Sequence, residues 1–314
     1  MSDLRAVSPP AWSGDGRRIA FATADAVWTV RGQAGAEPHR LTAMTGVDRV
    51  AWSPDGGAVT VLAGGRLLTV DLDDPSPRPL VPSRGVQCFA WPPVGARGGF
   101  GRAGRLSGPV YASAAGGRTA VWALRDAERP FRIGSLPSGI AARSLIWLAG
   151  DAGVAVTAAG GGDADRIVFL RPDARAASRI ERLPAGGRDP VPSPAGRFIA
   201  YLEDAGGGES RVAAVRAGGA GRRVLTPPGH YTGLAWSPSD TLVAFARQDG
   251  EWADLEIADV LTGQRLHVGD YRPEMAASDA PLVIVWAPGG TRLAFGTDTG
   301  ETAGFVWLAT LERR

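Results

Sequence analysis

The chain contains no lysine and no asparagine, and among its 314 residues there are only three histidines and one cysteine. Each shortage closes off a class of protein. With Cys88 alone, no disulfide forms within the chain, and the neighbours Val86, Phe89 and Trp91 make it read as a small buried hydrophobe. His39, His230 and His267 are too few and too scattered for a zinc motif, so neither a metal nor another cofactor is expected. All 34 basic residues are arginine. Because lysine and asparagine codons are AT-rich, that bias points to a high-GC bacterial genome. The 32 acidic residues leave a net charge of +2, too small to argue for nucleic acid. No run of like charges forms a polyanion-binding tail. No apolar run of about 18 residues exists, so insertion of a helix into a membrane is not expected. Met1-Ser2-Asp3-Leu4-Arg5 has neither the charged nor the apolar region of an export signal. The expected location is therefore cytoplasmic, or periplasmic or extracellular if a signal has been removed. A Gly-x-Ser-x-Gly elbow is missing, and the glycine runs 160–162 and 206–208 precede no Lys or helix, so they read as hairpin tips rather than phosphate cradles.

What the chain does have is one stretch it keeps repeating. Val50-Ala51-Trp52-Ser53-Pro54-Asp55-Gly56 is preceded by Pro10-Ala11-Trp12-Ser13-Gly14-Asp15-Gly16. It is followed by Leu234-Ala235-Trp236-Ser237-Pro238-Ser239-Asp240 and Val285-Trp286-Ala287-Pro288-Gly289-Gly290. An apolar run comes after each copy. The physical reading is a strand ending in Trp, a tight turn and an antiparallel return strand. Pro presets φ, Asp caps the turn, and Gly takes the φ > 0 position. With Trp12, Trp52, Trp91, Trp147, Pro192 in the Trp slot, Trp236 and Trp286 as a ruler, seven units tile the chain as one domain, 1–314. A period of about 40 to 45 residues with several short strands per unit predicts an all-β, seven-bladed β-propeller of four-stranded antiparallel blades.

Alternation and turn residues place the strands of the first unit at 19–23, 26–31 and 39–42 after the Trp12 strand. The second repeats them at 58–63, 66–72 and 78–81, and the third has 86–91, 110–113, 119–125 and 131–133. Pro92 to Gly108 reads as a surface insertion. The seventh unit supplies three strands, and Ser2 to Val7 is the natural donor of the closing one, since an open edge strand is a liability.

The pattern apolar-Ala-Trp-Ser-Pro-Asp-Gly, then Ile-Ala-Phe or its like, resembles the repeats of TolB-like propellers, distant relatives of WD-repeat proteins. Residues 10–21, 50–62 and 234–245 carry the likeness. It implies a blade structure and, for most of that family, a scaffold that binds a protein or peptide partner. It also resembles the propeller that gates the hydrolase domain of prolyl-oligopeptidase-type peptidases, but no residues remain here for such a domain.

Asp15 and Asp55 read as turn caps rather than as a metal-binding ring, and the motif tryptophans as packing between blades. The turn face is stereotyped, apart from Pro92 to Gly108. The opposite face gathers the variable connections. Its candidate rim residues are His230, Tyr231, Arg49, Arg84, Arg188, Asp189, Asp270, Tyr271, Arg272 and Glu274, with Asp48, Arg143 and Met275 beside them. Polar and aromatic residues on loops held by a rigid scaffold are where binding tends to sit. The first expectation is thus a non-enzymatic propeller binding a protein or peptide partner on this face, with room for a small molecule in the central channel. The alternative is a small-molecule lyase or hydrolase using the rim, with His230 as general base oriented by Asp270 or Asp189.

Overall fold

The computed structural model describes residues 8–92, 106–125, 129–148, 153–160, 163–170, 179–183, 187–250, 252–271, 282–297 and 307–311. They form seven antiparallel sheets arranged as a seven-bladed β-propeller, with no helix among the described residues. Six sheets have four strands, each paired to the next in sequence, and the seventh has three: Leu282–Trp286, Arg292–Thr297 and Trp307–Thr310. The expected closing segment, Ser2 to Val7, lies outside the described residues. So does most of the expected insertion Pro92 to Gly108, although its last residues belong to the strand Leu106–Ala115.

The repeated turn forms as its residues dictate. In blade one the Ser13 hydroxyl donates to Asp15 Oδ1 at 2.6 Å, and the same oxygen accepts the Arg17 amide at 3.0 Å. Ser53, Asp55 and Gly57 repeat this at 2.5 and 3.0 Å. Gly16 and Gly56 close the turns at φ of 68° and 72°, where a Cβ is disfavoured. The hydroxyl hydrogen bond is the main reason both carboxyls lie below their ordinary value of 3.8.

The motif Trp stands at the end of the first strand of its blade or directly after it, and five of the six tie that blade to the one before. The indole nitrogens of Trp52, Trp147, Trp236 and Trp286 donate to the carbonyls of Ala11, Ala90, Val191 and Ala235 at 2.8 to 3.1 Å. Trp91 uses the Thr60 hydroxyl instead, at 2.9 Å. Pro192 cannot donate, and between blades four and five Thr157 Oγ1 donates to Pro190 O at 3.3 Å. The residue six after the motif position then covers the next blade's Trp: Arg18 lies 4.5 Å over Trp52, and Phe198 stacks on Trp236 at 6.1 Å.

The core is divided accordingly. Six apolar clusters fill the six seams between consecutive blades, from the blade one–two cluster with Val27, Val50 and Trp52 to the blade six–seven cluster with Leu255, Ile284 and Trp286. No such cluster occupies the seam between blades seven and one among the described residues. There Arg292, six after Trp286, lies 4.8 Å over Trp12, donates to Gly32 O at 2.6 Å and also donates to Gly16 O. Trp12 Nε1 is buried without a partner.

Candidate functional site

First strands of neighbouring blades contact one another at five of the seven junctions, which makes these strands the lining of the central channel. A β-bulge interrupts five of them near the end remote from the turn, in Val47–Trp52, Val86–Ala90, Ala141–Trp147, Gly187–Pro192 and His230–Trp236. Bulges leave a residue unpaired and re-aim side chains, and they are common beside sites. Counting four back from the motif position gives Asp48, Gln87, Arg143, Arg188 and Thr232, a polar set at one register. Gln87 Oε1 accepts the Ala142 amide at 3.0 Å and is structural. Arg188 pairs with Asp189 at 3.2 Å, and Asp189 holds φ at 52°, a conformation non-glycine residues rarely take.

Arg49, beside Asp48, is half-buried and makes no hydrogen bond or ion pair among the described residues. Burial pushes its guanidinium below the usual arginine range, with the nearby Cys88 thiol acting the other way. Cys88 is buried as expected, and burial pushes its thiol up to about 11, Arg49 pulling it back. Arg84 and His230 are exposed.

Three parts of the expected rim differ from the sequence reading. Tyr231 is only 4% exposed, its ring edge-on to Phe245 at 5.6 Å and its hydroxyl buried without a partner. It belongs to the core because it occupies the inward register of its strand. His230 and Asp270 do not meet: the adjacent Tyr231 pairs with Arg247, Arg247 with Asp254, and Asp254 with Asp270. Three strand spacings, roughly 14 Å, therefore separate the two ends of that row. Asp270 instead accepts from His267 Nε2 at 3.0 Å, and Asp189 turns to Arg188. Arg272, Glu274 and Met275 lie outside the described residues, as does the side chain of Tyr271.

The same row contains a cluster that sequence reasoning missed. Arg247, Asp254 and Asp270 are cross-strand partners with His267 next to Asp270. Burial first, then the hydrogen bond and charge of Asp270, raise the Asp254 carboxyl, while His267 and Arg247 lower it. The signal was the strand register, which a single sequence does not display. Among the described residues no group of three or more His, Cys, Asp or Glu could hold a metal ion.

No family model and no curated protein matches the chain. Solved structures do match. An oligogalacturonate lyase in complex with manganese superposes with a TM-score of 0.66 at 15% identity, covering 99% of this chain and 91% of that one. A second oligogalacturonate lyase, from Vibrio parahaemolyticus, gives 0.64 at 12% identity, with 99% and 91% covered. A putative TolB from Agrobacterium tumefaciens gives 0.52 at 19% identity, with 88% and 95% covered. At such identities the likeness establishes the fold: a seven-bladed propeller with a TolB among its neighbours. It also corrects the first functional expectation. The non-enzymatic, partner-binding reading rested on the TolB resemblance, yet the lyases superpose over more of this chain and with higher TM-scores. Of the two readings, the enzyme is the better supported.

Proposed function

We propose that the chain is an enzyme acting on a small carboxylate-bearing molecule at the channel mouth, as a lyase. The observation that carries this is Arg49, a half-buried guanidinium whose charged form burial disfavours and which has no hydrogen bond or ion pair among the described residues. A desolvated charge without a counter-charge is costly, and an anionic group on a ligand would supply what the protein withholds. Arg84, Arg143 and Arg188 share the same end of the ring and add to the attraction.

Elimination next to a carboxylate needs a base and a cationic stabiliser but no nucleophile motif, which suits this residue set. His230, exposed and with no side-chain hydrogen bond among the described residues, takes the proton from the carbon beside the carboxylate. The C–H electrons form the double bond, the β C–O bond breaks, and the leaving oxygen takes a proton from water. Arg49 holds the charge that builds on the carboxylate. The lyases among the structural neighbours act, by name, on an acidic sugar oligomer, and that is the substrate class to try first.

The test is to incubate the chain with oligogalacturonate and follow the ultraviolet absorbance of the unsaturated product. Wild type is expected to turn over and Arg49→Gln to lose about a hundredfold in kcat/KM, the scale of one transition-state donor. No absorbance change with this or any other uronate oligomer, or full activity in Arg49→Gln, overturns the reading.

A further inference from the structure

We propose a second site, independent of the channel chemistry: the groove on the turn face at the closing seam binds a small phosphoryl-bearing anion. First strands of about six residues carry the chain from the rim to the turns, so the two sites lie roughly 20 Å apart on opposite faces. The groove has a volume of about 630 Å³ and is lined by Arg17, Arg18, Arg31, Arg292, Gln33 and Asp15, together with Gly16 and Gly32.

Four guanidinia face one carboxylate, and that carboxylate is already engaged. Asp15 accepts from the Ser13 hydroxyl and the Arg17 amide. Arg18 is committed to Gly56 O at 2.8 Å and to the Trp52 ring, and Arg292 to Gly32 O, Gly16 O and the Trp12 ring. These two are fixed in place by blade packing and still hold unused N–H donors, since a guanidinium carries five. Arg17 and Arg31 are exposed and make no side-chain hydrogen bond or ion pair among the described residues. The groove thus pairs two immobilised cations with two free ones.

The corresponding groove between blades five and six shows that this is not a general property of the face. There Arg197 and Arg216 lie over the Phe198 ring, Leu261 adds apolar surface, and Asp240 accepts from Arg197 Nε at 2.8 Å. Among the described residues, two arginines and one aspartate leave an excess of one positive charge there, with Arg197 paired. At the closing seam the excess among the described residues is three positive charges, from four arginines and one aspartate. A phosphoryl group, with close to two negative charges and three acceptor oxygens, matches several guanidinium forks, whereas a carboxylate fills one.

The probe is inorganic pyrophosphate, titrated calorimetrically into the full chain, with citrate as a carboxylate of similar charge. Saturable binding of pyrophosphate is expected, weakened by at least about tenfold in Arg17→Ser/Arg31→Ser, because each lost charge-assisted contact is worth about that factor. Arg197→Ser is expected to bind as wild type, and citrate to bind markedly more weakly. Neither replaced side chain has a hydrogen-bond or ion-pair partner among the described residues, so the melting temperature should hold; if the double variant fails to fold, Arg31→Gln alone serves. Absent saturation, undiminished binding by the variant, or citrate binding as tightly as pyrophosphate overturns the proposal.

Discussion

Between blades five and six, Trp236 donates to Val191 O, Phe198 stacks on its ring, Asp240 reaches back to Ala195 and Arg197, and an apolar cluster fills the space behind. Between blades seven and one, the equivalent Trp12 has no hydrogen-bond acceptor, an arginine covers its ring, and no apolar cluster lies behind it among the described residues. The comparison teaches that one repeat position, six after the motif, can seal a blade junction through either hydrophobic stacking or a guanidinium. What changes is the by-product. At the apolar seal the nearby Arg197 is paired with Asp240, whereas the arginine seal adds its own charge to the surface.

The strongest way to break this contrast is Trp236→Ala. It removes a buried indole, its staple and the partner of Phe198, and should cost about 3 to 5 kcal/mol in thermal or denaturant unfolding. A loss below about 1 kcal/mol would show that the apolar seam does not depend on it. Arg292→Ala should cost less, about 2 kcal/mol, from two charge-assisted hydrogen bonds and one cation–π contact at a partly exposed site. An unchanged melting curve would mean that the closing seam is held elsewhere. The smallest effect is in acid. The Asp15 carboxyl lies below its ordinary 3.8, so the stability it contributes is fully present above about pH 3.8 and is lost as pH falls through the lowered value. Asp15→Asn should therefore flatten the acid limb of the stability curve and lower the stability above about pH 3.8, where the ionised carboxylate contributes. An acid limb identical to wild type would remove the turn carboxylate from the account.

The blades were legible because their turns use residues with few conformational choices, and Gly16, Gly56 and the Ser–Asp pairs behave as their chemistry requires. Tyr231 was misplaced although a clue was present. It stands five before Trp236, as Val47, Val86 and Ala142 stand five before Trp52, Trp91 and Trp147, and all four are buried. Aligning on the motif would have put it inside. The Asp254 cluster and the arginine groove were not legible, because both are made by pairing across strands or across the ring. Arg292 and Gly16 meet over 276 positions of sequence, and nothing local announces that. The turn face, read as stereotyped, carries the groove for that reason.

That separation also sets an order of events. Each of the six apolar seams joins blades adjacent in sequence, so each can form once its two blades exist, as the chain emerges from the ribosome. The Arg292 latch joins the two ends and must wait for nearly the whole chain, with the loop-closure entropy of several hundred residues set against a few polar contacts. Assembly is therefore expected to run as an open arc that shuts last at blades seven and one, with this seam the first to part on partial unfolding.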